Sequence, residues 1–267
     1  MPKVKVALAG VGNCASALIQ GLEYYRQNPE ETIGLVDYSI GGIEPNDIEF
    51  VAAFDVNDKK VGYDLSDAIF AHPNNTAKII DIPNLGVEVS RAPVKDGIGK
   101  YLKDVVDVND PNGSDVVDII KSSGADMLIN YLPVGSTEAT KYYAQCSLDS
   151  NVGFINSMPV FIASNPEWQT KFVDKGLPIA GDDVMSQLGA TVVHKSLIKL
   201  FVERGVKIDE TYQLNIGGDA DFLNMLEESR LVDKRESKTS AVRAMSPYPI
   251  PTPVSYTHLT LPTSDLV

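Results

Sequence analysis

The chain opens with Lys3-Val-Lys-Val-Ala-Leu-Ala9, followed by Gly10-Val11-Gly12-Asn13-Cys14-Ala15. The unbroken apolar run reads as a buried strand, the glycines as a tight turn, and residues from Ala15 to Gln27 as a helix. Gly10 permits the turn. Gly12 leaves the backbone open to a pyrophosphate. Ala15, third in the G-x-G-x-x-A pattern, is small enough for helix and strand to lie close. Free N–H groups and the dipole at the start of such a helix favour negative charge. The same residues also read as a plain strand–turn–helix whose glycines serve packing alone. Their order, apolar strand then turn then helix, favours the dinucleotide reading.

The alternation continues downstream. Strand-like runs lie at Val4–Ala9, Phe50–Val56, Gly86–Arg91, Met127–Leu132, Val152–Asn156 and Leu177–Ala180. Helical patterns lie at Ala15–Gln27, Asp64–Ala71, Val116–Ser122, Ser136–Leu148, Pro166–Val173 and Gln187–Glu203. Repeated strand and helix predict an α/β fold, a Rossmann-like parallel sheet covered on both faces. Past Gly205 the character changes: Val206–Asn215 alternates like a strand, and Asp221–Glu228 reads as a short helix. The expected division is a dinucleotide-binding domain over residues 1–181 and the start of a second α+β substrate and oligomerisation domain over 182–253. Ser246–Val267 holds five prolines and one charged residue, and the tail over 254–267 is expected to be disordered or foreign to the fold.

Composition narrows the partners. Of 267 residues 43% are hydrophobic, enough for a large core, and 36 acidic against 23 basic residues give a net charge of −13. That field repels phosphate backbones and anionic lipid, so nucleic acid and membrane are poor partners. Met-Pro-Lys at the start has no signal-peptide character. Cys14 and Cys146 form no disulfide framework, which fits a reducing cytoplasm. The three histidines have no zinc-site spacing, and His194 reads as a packed residue.

Ligands of parallel sheets bind beyond the carboxyl ends of the strands, so the residues there are the candidates. Two acids compete for the ribose. Asp37 better fits the usual spacing of about 20 positions after the glycines; Asp55 ends the better buried strand, Phe50-Val-Ala-Ala-Phe54. A carboxylate at either place would select NAD over NADP by repelling a 2′-phosphate. Asn130-Tyr-Leu132-Pro133-Val-Gly135-Ser136 forms a tight loop suited to press on nicotinamide or ribose. Asn156 ends another strand, and Gly181-Asp182-Asp183 another, where adjacent like charges need a cation or several donors. Asn215 and Asn224 suit hydroxyl recognition on a sugar. Lys234-Arg235-Glu236-Ser237-Lys238-Thr239 gathers three cations in an acidic chain, a candidate phosphate site or a solvated charged loop.

Taken together these blocks resemble the prokaryotic myo-inositol-phosphate synthase family over residues 2 to about 253. The resemblance is carried by Gly10-Val-Gly-Asn-Cys-Ala15, Phe50-Val-Ala-Ala-Phe-Asp55-Val-Asn57, Tyr131-Leu-Pro-Val-Gly-Ser136, Gly181-Asp-Asp183, Gln213-Leu-Asn-Ile-Gly-Gly218, Asp221-Phe-Leu-Asn-Met-Leu226 and Ser237-Lys-Thr239. It implies that glucose 6-phosphate is oxidised at C5 by bound NAD, enolised, closed by an aldol step and reduced again, for no net redox change. It also implies Asp55 as the ribose acid. The implied cofactor set is Gly10, Gly12, Asn13, Cys14, Ala15, Asp55, Asn57, Leu132, Pro133, Asn156 and Asp182. The implied catalytic set is Asp183, Asn215, Lys234 and Lys238, with no metal ligand and a homo-tetramer for the whole protein.

Two departures stand out. The family block reads Gly-Asp-Asp-x-Lys-Ser-Gln where this chain carries Met185, and asparagine is usual where it carries Asp219. The family also continues past residue 253 with a further active-site lysine, whereas Ser255–Val267 resembles translated adapter sequence. An ordinary NAD-dependent dehydrogenase and a non-catalytic dinucleotide-binding module are the competing readings.

Overall fold

The computed structural model describes residues 3–258. Six parallel strands form one sheet: β1 (Val4–Ala9), β2 (Ile48–Asp55), β3 (Val89–Arg91), β4 (Met127–Asn130), β5 (Gly153–Asn156) and β6 (Ile179–Gly181). Their order is β3-β2-β1-β4-β5-β6. This is the doubly wound arrangement, whose winding reverses between β1 and β4 and opens a crevice there.

Side-chain alternation explains why β1 reads as a continuous apolar run. Val6 and Leu8 face one layer, where α1 (Asn13–Gln27) brings Ala15, Ile19 and Leu22 and α2 (Leu65–Ala68) brings Leu65 and Ala68. Ala7 and Ala9 face the other. There Ile120 of α3 (Val116–Ser123), Tyr143 and Ala144 of α4 (Thr137–Ser150) and Phe172 of α5 (Pro166–Asp174) pack with Phe54 and Phe154. Burial on both faces removes the need for polar alternation. The small residues Ala7, Ala9 and Ala15, all fully buried, let both helical layers approach closely.

Local chemistry sets the helix ends. Asp115 accepts the Asp118 N–H at the start of α3, and Gly124 ends it at φ 66°. Asn165 accepts the Glu167 N–H ahead of Pro166 at the first position of α5. Asp96 accepts the N–H groups of Glu138 and Ala139 at 2.8 and 2.9 Å, supplying α4 with the cap that its own Ser136 does not give.

Beyond β6 the chain forms α6 (Ala190–Glu203), β7 (Gln213–Gly217), α7 (Ala220–Asn224), α8 (Val232–Arg243) and β8 (Val254–His258). β7 and β8 make a separate parallel pair. The strand expected over Val206–Asn215 is confined to β7, since β8 reaches alongside only from Gln213 onward. The charged run at 234–239, one of whose readings was a solvated loop, is helical within α8. Residues 254–258 of the expected tail are β8, and 259–267 lie outside the described residues. Among the described residues no helix is long and apolar enough to cross a membrane.

Candidate active site

The glycine turn lies at the head of β1 and forms one wall of a cleft of about 310 Å³. Gly10 sits at φ +92°, and a Cβ there would stand 2.6 Å from the Tyr131 carbonyl oxygen. Its N–H donates to Phe54 O at 2.9 Å. Gly12 precedes α1, and a Cβ on it would meet nothing within 4 Å, so the space above it belongs to the cleft. Among the described residues the N–H groups of Gly12, Asn13 and Cys14 have no acceptor. Three free donors at a helix start, beside an open approach, form an anion cradle.

Asp55 ends β2 at the cleft wall. Its Oδ2 accepts the Val11 N–H at 2.9 Å, and its Oδ1 accepts the N–H groups of Val56 and Asn57 at 2.8 and 2.9 Å. Asp37 lies in the exposed segment between α1 and β2, where it accepts the Ser39 N–H at 3.2 Å. That segment accounts for the long spacing from Gly12 to the acid at the end of β2. The Val11 carbonyl accepts from the buried Lys60 Nζ at 2.8 Å and from Asn74 Nδ2 at 2.9 Å, and both side chains also line the cleft.

The opposite wall includes Leu132, Pro133, Met158, Asp219 and Asp221. Arg230 fixes the Leu132–Ser136 loop. Its Nε donates to Val134 O at 3.1 Å, its Nη1 to Asp96 O at 2.8 Å and its Nη2 to Gly97 O at 3.3 Å. Gly135, at φ +81°, makes room, since a Cβ on it would lie 2.4 Å from Arg230 Cβ. Asn224 Nδ2 donates to Val134 O at 2.7 Å. Asp221 is exposed at the wall, yet the surrounding protein, and then Asp219, push its carboxyl up to about 6. Enclosure by protein, then Asp221 and Asp219, also raise the Cys14 thiol.

A second cleft of about 300 Å³ is lined by Asp182, Asp183, Met185, Lys195, Ser237 and Lys238, among others. The four-residue period of α8 puts Lys234, Ser237 and Lys238 on one face. Lys234 Nζ lies 2.7 Å from Asp183 Oδ1, and the Ser237 hydroxyl donates to Oδ2 at 2.5 Å. Asp183 takes the left-handed backbone at φ 59°, a conformation rare outside glycine and concentrated at functional sites. Lys238 Nζ donates to Asn215 Oδ1 at 3.2 Å. Burial, and then Lys234, bring the Lys238 amine down to about 8. Lys234 also acts electrostatically on Asp221 and Cys14 at the first cleft. It therefore stands between the two.

Of the implied cofactor and catalytic residues, all but Ala15, Asn156, Asn215 and Lys234 line these clefts. Ala15 is fully buried and shapes the helix approach without facing the first cleft. Asn156 is fully buried, its amide spent on Val160 O, Met158 O and Asp182 Oδ1. Asp182 accepts the N–H groups of Ile162, Ala163 and Ser164 at 3.0–3.1 Å and the Ser164 hydroxyl at 2.7 Å. Asn156 thus braces the strand ends from beneath, and Asp182 does so while lining the second cleft. Lys60, Asn74 and Arg230 went unseen in the sequence. Their side chains bond to backbone carbonyls that only the folded chain brings near, and no spacing rule marks such contacts.

Comparisons with known proteins identify the family. A family model described as myo-inositol-1-phosphate synthase matches residues 189–260. The chain is 56% identical over 242 residues to inositol-3-phosphate synthase of Mycolicibacterium smegmatis, covering 90% of this chain and 67% of that protein. It is 52% identical over 246 residues to the Corynebacterium glutamicum inositol-3-phosphate synthase, covering 91% and 68%. The chain thus spans about two thirds of the length of these relatives. The solved structure of Ari2 superposes with a TM-score of 0.76 at 34% identity, covering 96% of this chain and 72% of that one. With 52–56% identity across nine-tenths of its length, the chain belongs to the myo-inositol-1-phosphate synthase family.

Proposed function

We propose that this chain carries the cofactor and sugar-phosphate clefts of an enzyme that converts D-glucose 6-phosphate to 1L-myo-inositol 1-phosphate using a recycled NAD. One observation carries the reading: a single helix face bearing Lys234, Ser237 and Lys238 stands beside Asp183, between a glycine-turn cleft and a second polar cleft. The free N–H groups of Gly12, Asn13 and Cys14 suit a pyrophosphate, and Asp55 suits a ribose hydroxyl. NAD held there supplies a hydride acceptor that later returns the hydride.

The rest of the chemistry falls to the chain's own side chains. Lys238, brought down to about 8, has a neutral fraction near pH 7 that accepts a proton from a sugar hydroxyl. Lys234 supplies positive charge for an enolate or aldol oxyanion. Asp183 holds Lys234 in place, and Asn215 orients Lys238. The reading extends to a phosphosugar partner, a cytoplasmic location and a homo-tetramer for the whole protein. Apolar side chains exposed on α6 (Val193, Leu197, Phe201) and β7 (Leu214, Ile216) support the last of these.

The test combines NAD, glucose 6-phosphate and the protein, following phosphorus NMR and absorbance at the NADH band. Inositol phosphate without net NADH is the expected result. Stoichiometric NADH instead favours an ordinary dehydrogenase, a reading supported by Met185 standing half exposed in the second cleft where a lysine would supply charge.

A pH dependence follows. Above about pH 6 Asp221 ionises in the cleft that receives the pyrophosphate. NAD affinity is expected to fall as pH rises from 5 to 7.5, by up to about tenfold for a charge several ångströms away in a partly wet cleft. Asp221→Asn should flatten that slope in calorimetric titrations. An unchanged slope would place the pyrophosphate elsewhere.

A further inference from the structure

The cofactor cleft contains a buried cation that the reaction does not use. Lys60 has only 5% of its side chain exposed, yet it lines the cleft. Its Nζ donates to Val11 O and to Asn74 Oδ1, both at 2.8 Å. Its third neighbour is Asp55 Oδ2 at 3.8 Å, within ion-pair reach but beyond a hydrogen bond. Among the described residues Asp55 is its only carboxylate partner. Both oxygens of Asp55 are committed to backbone N–H groups of Val11, Val56 and Asn57, so the carboxylate is fixed beside the ammonium at the cleft wall.

We propose that Lys60 is a masked receptor for a 2′-phosphate, and that the Asp55–Lys60 pair sets the choice between NAD and its 2′-phosphorylated form. This rests on the dinucleotide reading above and deepens it. Asp55 repels a 2′-phosphate directly and also neutralises the one cation buried among the described residues, which would attract it. Once Asp55 loses its charge, Lys60 is left buried without a counter-ion, a costly state that a bound anion relieves. A 2′-phosphate attached to the ribose at the end of β2 brings that anion to the vacated place.

The experiment measures dissociation constants for NAD and NADP by calorimetry on the full chain, its Asp55→Asn and Asp55→Ser variants, Lys60→Met, and the Asp55→Asn/Lys60→Met double variant. Ser is included because an Asn amide would face the Val11 N–H donor. The readout is the NADP-to-NAD affinity ratio, which a merely structural loss in the turn does not move. The ratio is expected to rise at least 30-fold in an Asp55 variant, and the double variant is expected to lose at least tenfold of that gain. Lys60→Met alone should lower the ratio at least threefold, which keeps the inference testable if the Asp55 variants do not fold. A double variant that keeps the gain, or a ratio indifferent to Lys60→Met, overturns the inference while NAD binding by the parent stands. No heat from NAD with the parent chain overturns the cofactor reading and this inference together.

Discussion

Replacing Gly10 with alanine is expected to lower the unfolding free energy by about 3 kcal/mol, which for a chain of this size lowers the melting temperature by roughly 10 °C. Two terms add. At φ +92° an L-residue carries a backbone penalty on the order of 1–2 kcal/mol. The new Cβ would also stand 2.6 Å from Tyr131 O and 2.9 Å from Tyr131 C. Those atoms cannot retreat easily, because the Tyr131 N–H is bonded to Ala9 O at 2.8 Å and Gly10 N–H to Phe54 O at 2.9 Å. Gly12→Ala is the informative contrast. Its Cβ meets nothing within 4 Å in the free chain, so stability should change by less than about 1 kcal/mol. In the cleft, however, that methyl occupies the approach to the free N–H groups, and NAD affinity should fall at least about 100-fold. Thermal melts and calorimetry separate the two glycines. A Gly12→Ala protein that binds NAD as tightly as its parent would show that the turn does not receive the pyrophosphate.

The second large effect is expected at Asp183. Its carboxylate is 13% exposed and its partner Lys234 is 19% exposed, so the pair is largely out of water. Asp183→Asn keeps a residue that tolerates the left-handed backbone but leaves the Lys234 ammonium without its counter-charge and an amide facing it. A cost of about 2 kcal/mol is expected. Asp183→Ala also strands the Ser237 hydroxyl and puts a less tolerant residue at φ 59°, for a total of about 3 kcal/mol. Adding Lys234→Met to Asp183→Ala should recover part of this, with a coupling of about 1–2 kcal/mol in a double-mutant cycle on denaturant unfolding. Additive losses would show that the ion pair contributes nothing beyond its separate halves. Both single variants should also weaken glucose 6-phosphate binding, since they free the helix face that addresses the second cleft.

These two cases show what the sequence makes legible and what it does not. Val4–Ala9 and the glycines after it announce themselves, because a strand buried on both faces leaves an unbroken apolar run and the turn needs residues without Cβ atoms. Most of the helices and the strand ends at Asp55, Asn130 and Asn156 follow from the same alternation. The ribose acid was ambiguous because an insertion separates α1 from β2, and linear spacing does not register chain that loops away from the sheet. α8 was hidden for a different reason. Its only buried residue is Val242, so the apolar period that marks a helix is nearly absent while its cations look like a solvated loop. The resemblance implies Asn156 and Asp182 as cofactor residues, and both sit at strand ends, where ligands bind. Which way such a side chain turns depends on neighbours such as Ser164 and Val160, whose N–H and C=O groups bond to it.

Arg230 has a mechanical consequence. Its guanidinium grips the loop over the first cleft, and four and eight positions further along the chain stand Lys234 and Lys238. Loop and lysines are thus tied through a short stretch of chain that runs from Arg230 into α8, so a shift of one wall is passed to the other. For the reaction proposed above, walls tied in this way would hold cofactor and proton acceptor at one spacing.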